Sequence, residues 1–211
     1  MVRRRAHRRS SAKSAGHPPV ERELRIIGGE LRRRRFRFRV DSRTRPMKDR
    51  TREAIFNLLG KPEPEVIVLD LFAGTGVMAF EALSRGAGVA LCVEQHLPTA
   101  KQISQIAQLL KLQERVTVAS QDVFQWWRQR CRGGAPLADQ PHWVFCCPPY
   151  RLLEDEPEAI DRLIGEIWQN LPSNSWFVLE ADRNFSLDRL PTANWDVRSY
   201  PPAVVYLALS Q

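Results

Sequence analysis

The sequence predicts an α/β fold built on a doubly wound, mostly parallel sheet. Short β-branched runs alternate with segments of helical periodicity between residues 66 and 179, the pattern of strands joined by crossover helices. One of them, Val66-Ile67-Val68-Leu69, ends in Asp70 and passes through Gly74-Thr75-Gly76 directly into an apolar helix, the strand–turn–helix opening of such sheets. The chain closes on two strand-like runs, Trp195 to Tyr200 and Val204 to Leu209, with Pro201-Pro202 between them. That ending predicts an antiparallel hairpin at one side of a seven-stranded sheet.

Residues 1–22 are rich in Arg, Ser, Ala, Gly and Pro with almost no large apolar side chains, and are expected to form a disordered basic tail. Residues 23–60 are expected to form a small basic unit. Gly28-Gly29 marks a turn, and from Arg33 the arginines Arg33, Arg35, Arg37 and Arg39 fall on one parity and Phe36, Phe38 and Val40 on the other. That period of two predicts a hairpin from Ile26–Gly28 to Val40 with an arginine face turned to phosphates. A helix follows, with Ile55, Leu58 and Leu59 on one face and Gly60 as its stop.

Residues 61–211 read as the main domain. Lys61-Pro62-Glu63-Pro64 leads into the Val66 strand. The helix Val77 to Arg85 stops at Gly86, and Val89 to Val93 is the second parallel strand, ending in Glu94. Pro98 starts a helix with Ile103, Ile106, Ala107 and Leu110 on one face. Val116 to Ala119 is the third strand, with Asp122 beyond its tip, and Phe124, Trp126 and Trp127 after it read as core. His142 to Cys147 is the fourth strand and runs into Pro148-Pro149-Tyr150. Pro157 opens a helix with Ile160, Leu163, Ile164, Ile167 and Leu171 on one face, and Trp176 to Leu179 is the fifth strand.

Composition narrows the function. The chain has 211 residues, 43% of them hydrophobic, and no apolar run long enough to span a membrane. The Arg-rich start lacks the apolar region of a secretory signal. Cys92, Cys131, Cys146 and Cys147 show no C-x-x-C spacing and read as reduced thiols of a cytoplasmic protein, with no metal site expected. Charge is uneven: residues 1–52 hold 19 Lys and Arg against 5 Asp and Glu, the remainder 13 against 19, for a net +8. A basic arm on an acidic body suggests a polyanionic partner, above all nucleic acid.

Gly74-x-Gly76-x-x-Ala79 fits the dinucleotide fingerprint, which leaves an NAD(P)-linked oxidoreductase open. Asp70 favours a ligand with an ammonium group. S-adenosylmethionine carries an ammonium for the carboxylate and a carboxylate for the turn N–H groups. Asp70-x-Phe72-Ala73-Gly74-Thr75-Gly76 accordingly resembles motif I of Rossmann-type methyltransferases. Glu94, about 20 residues after the first glycine, is placed to accept from ribose hydroxyls. Asp122 caps a helix or accepts from an adenine amine.

Arg25-Ile-Ile-Gly-Gly-Glu, Thr44-Arg-Pro, Asp49-Arg50-x-Arg52-Glu53-x-x-Phe56-Asn57 and the Asp70 motif together resemble the RsmD family, from about Arg25 to the C-terminus. The resemblance implies a Rossmann-like class I S-adenosylmethionine-dependent methyltransferase that modifies N2 of a guanine in small-subunit rRNA during ribosome assembly. It implies a cofactor site of Asp70, Phe72, Ala73, Gly74, Thr75, Gly76, Glu94, Gln95, Asp122 and Val123, with the backbone of Val123 donating to the adenine ring. It also implies RNA contacts by Arg33, Arg35, Arg37, Arg39, Arg45, Lys48 and Arg50. The expected partner is rRNA or a small-subunit assembly particle, met by a monomer away from any membrane.

Amino-directed methyltransferases carry Asn or Asp, then Pro-Pro, then Tyr or Phe, after the fourth strand. An exocyclic amine is a poor nucleophile, because its lone pair is delocalised into the ring. A side-chain oxygen and the first proline's carbonyl accept its two hydrogens and aim the lone pair, while the aromatic ring stacks on the base. The catalytic residues implied are therefore Cys147, Pro148, Pro149 and Tyr150, and position 147, Asp in the family, is Cys here. A thiol is a weak acceptor. Three readings stand: an active enzyme that tolerates the thiol, an enzyme for another nucleophile, and an RNA-binding assembly factor without turnover.

Overall fold

In a computed structural model the described residues are 20–40, 47–134 and 136–211. The chain begins with β1 (Val20–Arg25) and β2 (Arg35–Val40), an antiparallel hairpin, and α1 (Asp49–Leu59). The main domain follows as β3 (Ile67–Asp70), α2 (Val77–Arg85), β4 (Val89–Val93), α3 (Leu97–Leu109), β5 (Val116–Ala119), α4 (Val123–Arg132) and β6 (His142–Cys146). It ends with α5 (Tyr150–Asp155), α6 (Pro157–Gln169), β7 (Trp176–Asp182), β8 (Asp196–Tyr200) and β9 (Ala203–Leu209). The seven-stranded sheet has the order β5-β4-β3-β6-β7-β9-β8. Strands β3 to β7 are parallel, and β9 pairs antiparallel with both β7 and β8. The expected sheet and its terminal hairpin are both present.

Both faces of the sheet are covered, as apolar parallel strands require. Val68, Phe145 and Val178 share one core with α1, α2, α3 and the hairpin; Leu69, Val144 and Leu179 share the other with α4 and α6. Trp126 and Trp127 lie in this second core, and the Trp127 indole N–H donates to Glu166 at 2.9 Å. All four cysteines are free thiols.

The hairpin differs from its sequence reading. Its first strand is Val20–Arg25, so residues 20–22 are paired sheet and not tail, while residues 1–19 lie outside the described residues. Arg33 is not on the strand: it sits in the connecting turn with φ 70°, and its N–H donates to Ile26 O. The alternation that begins at Arg33 becomes strand only at Arg35, because residues 29–34 use their backbone groups for turn hydrogen bonds and for bonds to helix α2. On β2 the predicted alternation holds: Phe36, Phe38 and Val40 are buried, and Arg35, Arg37 and Arg39 are exposed. Burial of the two phenylalanines is worth ~1.5–3 kcal/mol each.

What docks this hairpin on the main domain is a buried charge cluster. Glu81 on α2, fully inaccessible, accepts the N–H groups of Ile27 (2.8 Å) and Gly28 (2.7 Å) and the Arg85 guanidinium (2.9 Å). Arg52, equally buried, lies 3.7 Å from Glu81 and donates to Asp49 and to Arg25 O. Gly29 has φ 74°, and a Cβ there would lie 1.8 Å from the Ser84 carbonyl oxygen. The Gly28-Gly29 pair therefore lets the turn lie flat on the end of α2. On the far edge, the Arg39 backbone exchanges two hydrogen bonds with the Gln102 amide of α3.

Candidate active site

The site is the carboxyl edge of the parallel strands, where α/β sheets of this topology bind ligands. Asp70 is the last residue of β3 and only 2% exposed. Its Oδ2 is a buried acceptor without a hydrogen-bond partner. Burial pushes its pKa up to about 7, helped by the charge of Glu94 and opposed by the Ala79 backbone N–H in the first turn of α2. An orphaned carboxylate in that position is costly to ionise alone and is completed by a cation.

The turn beside it is tightly built. Gly74 and Gly76 have φ of 52° and 71°, and a Cβ on Gly76 would meet Ile103 at 2.9 Å. Ala73 and Thr75 are buried and Phe72 is half-buried against the second core. Glu94, just past β4, accepts from Gly74 N at 3.0 Å and from His96 N at 2.7 Å. Those two N–H groups fix its carboxylate against the glycine turn. Gln95 is exposed. Asp122 takes the capping role: its Oδ1 accepts from Gln125 N at 3.0 Å, and Val123 begins α4.

Cys147 follows the last residue of β6 and is half-buried. Pro148 is buried, Pro149 exposed, and Tyr150 opens the short helix α5, which the sequence pattern does not announce. Burial first, then the charges of Glu180 and Asp70, pushes the Cys147 thiol well above its usual range. At neutral pH it is a protonated thiol, unsuited to act as base or nucleophile.

Glu180 is the residue that the sequence reading missed. Register pairs Cys146 with Leu179 across β6 and β7, so Cys147 and Glu180 are neighbours. Glu180 accepts the Tyr150 hydroxyl at 2.8 Å. The signal was its place: Glu180 immediately follows the predicted strand Trp176–Leu179, as Asp70 and Glu94 follow theirs.

The expected RNA residues are scattered. Arg35 pairs with Glu23 at 2.7 Å and Arg37 with Glu21 at 3.5 Å, so the arginine face is shared with carboxylates from β1. These pairs are exposed and worth ~0–1 kcal/mol, weak enough for a phosphate to displace. Arg33 instead joins Arg25, Arg32, Arg35 and Glu53 around a recess of about 370 Å³ at the hairpin turn. The Lys48 ammonium reaches Pro201 O at 3.5 Å, Arg50 is exposed on α1, and Arg45 lies outside the described residues.

A family model described as conserved hypothetical protein 95 matches residues 24–200. The ribosomal RNA small subunit methyltransferase D of Escherichia coli K12 is 32% identical over 177 residues, 83% of this chain and 82% of its own length. The chain belongs to the RsmD family. The Haemophilus influenzae protein of the same description is 32% identical over 181 residues, covering 84% and 88% of the two chains. The solved Escherichia coli yhhF structure superposes with a TM-score of 0.66 at 27% identity, over 90% of this chain and 98% of that one. A Salinibacter ruber RNA methyltransferase in complex with S-adenosylhomocysteine shares the fold, with a TM-score of 0.56 at 14% identity over 79% and 95% of the chains. Within this RsmD-family chain Asp70, Gly74–Gly76 and Glu94, the residues expected to hold the cofactor, lie together at the strand tips. Cys147, Pro148 and Tyr150 line the adjoining edge.

Proposed function

We propose that this RsmD-family protein is an S-adenosylmethionine-dependent rRNA methyltransferase that modifies the exocyclic N2 of a guanine in small-subunit rRNA. The observation that carries the cofactor is Asp70, a buried carboxylate with an unpartnered oxygen beside a left-handed glycine turn. A cationic amino-acid end suits it, whereas the anionic pyrophosphate of NAD(P) would be repelled there. The residues present fit S-adenosylmethionine: Asp70 for the ammonium, the Gly74–Gly76 turn for the carboxylate, Glu94 for the ribose, Asp122 and the Val123 backbone for the adenine. When bound it supplies an electrophilic methyl group on a sulfonium.

The chain's own contribution is placement. The Pro148 carbonyl accepts one hydrogen of the guanine amine, and the Tyr150 ring stacks on the base, which holds the nitrogen lone pair on line. The Cys147 thiol fills the remaining corner without taking a proton. Basic residues at the hairpin turn hold the phosphate backbone and carry no sequence information themselves. The expected setting is the bacterial cytoplasm, with an assembling small subunit as substrate; no described helix is long and apolar enough to cross a membrane.

The test is methyl transfer from radiolabelled S-adenosylmethionine to small subunits from a strain lacking the modification, followed by nucleoside analysis. N2-methylguanosine in the digest is the expected result. A methyl group on another atom, or none, refutes the reading.

A further inference from the structure

We propose that Glu180 supplies the carboxylate that position 147 lacks: it accepts the second hydrogen of the substrate's exocyclic amine and takes up the proton released on methyl transfer. The inference rests on the amine-methylating reading above.

The sheet itself places the group. Strand residues alternate in facing. Val68, Phe145, Val178 and Val205 lie in the core on the α1–α3 side, so Asp70, Cys147 and Glu180, two residues beyond the first three, face that same side. Register puts Asp70 opposite Phe145, Cys146 opposite Leu179 and Glu180 opposite Val205. Cys147 and Glu180 therefore stand side by side, two residues beyond the level of Asp70, with Cys147 on the strand between the two acids. Adjacent strands lie about 4.8 Å apart, and glutamate is one methylene longer than the aspartate that the family carries at 147. That length lets an acid on β7 serve the place that an acid after β6 would serve. The effect on the thiol agrees with this arrangement, since Glu180 acts on Cys147 through its charge and through its backbone N–H.

The second observation is the bond from the Tyr150 hydroxyl to Glu180 Oε1 at 2.8 Å. It ties the carboxylate to the hydroxyl edge of the ring that would stack on the base. The Tyr150 bond uses about one of a carboxylate's four lone-pair sites. In the transfer, the amine nitrogen's lone pair forms the new N–C bond and the carbon–sulfur pair stays with the departing neutral thioether. The surplus N–H proton passes to a Glu180 oxygen and from there to water. Charge-assisted acceptance of a developing ammonium hydrogen is the kind of interaction that strengthens in the transition state.

The experiment compares E180Q, Y150F, C147D and C147D/E180Q on unmodified small subunits, each checked for folding and for S-adenosylhomocysteine binding. E180Q keeps an acceptor for Tyr150 but loses the charge, and its kcat should fall ~10- to 100-fold with KM little changed. Y150F keeps both ring and carboxylate and should lose less than E180Q. C147D alone should gain nothing, because a third carboxylate would stand between Asp70 and Glu180; in the E180Q background it should restore transfer. A readout independent of turnover is iodoacetamide labelling resolved by peptide mass spectrometry. Removing the Glu180 charge should speed labelling of Cys147 relative to Cys131. Unchanged kcat in E180Q, an equal loss in Y150F, absence of rescue in a folded double variant, or unchanged Cys147 labelling would each overturn the proposal. A wild-type protein that methylates no guanine amine would instead defeat the functional reading itself, and the labelling result would stand apart from it.

Discussion

Asp70 should couple cofactor binding to proton release. Its carboxyl is fully buried with a pKa pushed from 3.8 to about 7, a shift of about three units or ~4 kcal/mol against the charged form. The folded protein holds this proton more tightly than the unfolded chain. Folding is therefore unpenalised below about pH 4, and stability falls as pH rises through 7, by up to that amount. A ligand ammonium next to Oδ2 reverses the preference, since an opposite charge favours the ionised carboxylate. With a pKa about 7 the carboxyl is about nine-tenths protonated at pH 6, where a ligand α-amine is already an ammonium, so binding should expel about 0.9 proton. Titration calorimetry of S-adenosylhomocysteine at pH 6 in buffers of different ionisation enthalpy counts that proton directly. D70N should release none and should bind ~10- to 100-fold more weakly. Its stability should also lack the decline between pH 4 and 7 that Asp70 causes. A wild-type protein that releases no proton at pH 6, or a D70N variant that binds as tightly as wild type, would refute the assignment of the ammonium to Asp70.

Two more outcomes follow from the hairpin's attachment and charge. E81A removes the acceptor of two backbone N–H groups and leaves Arg52 and Arg85 without their buried partner, so chemical denaturation should show a loss of ~3–5 kcal/mol. The double variant R32A/R33A should lower rRNA affinity and reduce the log–log salt slope by roughly 0.7–0.9 for each phosphate that is no longer neutralised. R35A/R37A, whose arginines already face Glu23 and Glu21, should lower the slope less; a larger effect from that pair would place the RNA on the strand face.

The centre of the parallel sheet was legible because β3 and β6 are buried almost throughout and read as continuous apolar runs, with Asp70 closing the first. The hairpin's first strand was not. Val20–Arg25 buries only Leu24, and its pairing with β2 is a tertiary fact that Val-Glu-Arg-Glu-Leu-Arg does not announce. Charge counting also had a limit. Arg52 contributes to the basic count of residues 1–52, yet its side chain is fully buried and holds the hairpin to α2. The Arg25-Ile-Ile-Gly-Gly stretch, prominent as a motif, proves to be a docking surface whose glycines exist for close approach to Ser84 and Arg85.

The same distribution of charge explains how one small chain receives two ligands of opposite sign. The carboxyl edge of the sheet carries Asp70, Glu94 and Glu180, an acidic row suited to a cofactor that is cationic at its sulfonium and its ammonium. Such a row repels RNA. A nucleic-acid substrate would need a positive surface to hold its backbone, and the arginines at the hairpin turn, Arg25, Arg32 and Arg33, stand at the Ser84–Arg85 end of α2, one helix length (~13 Å) from the glycine turn where α2 begins. The buried Arg52–Glu81 cluster keeps that surface fixed to α2, the helix that begins at the Gly74–Gly76 turn. On the proposed reading, the attachment links RNA capture to the cofactor site through one helix. Loosening it by E81A should weaken RNA-dependent turnover more than S-adenosylhomocysteine affinity, measured on the fraction that remains folded. An equal loss in both would show that the cluster supports only the fold.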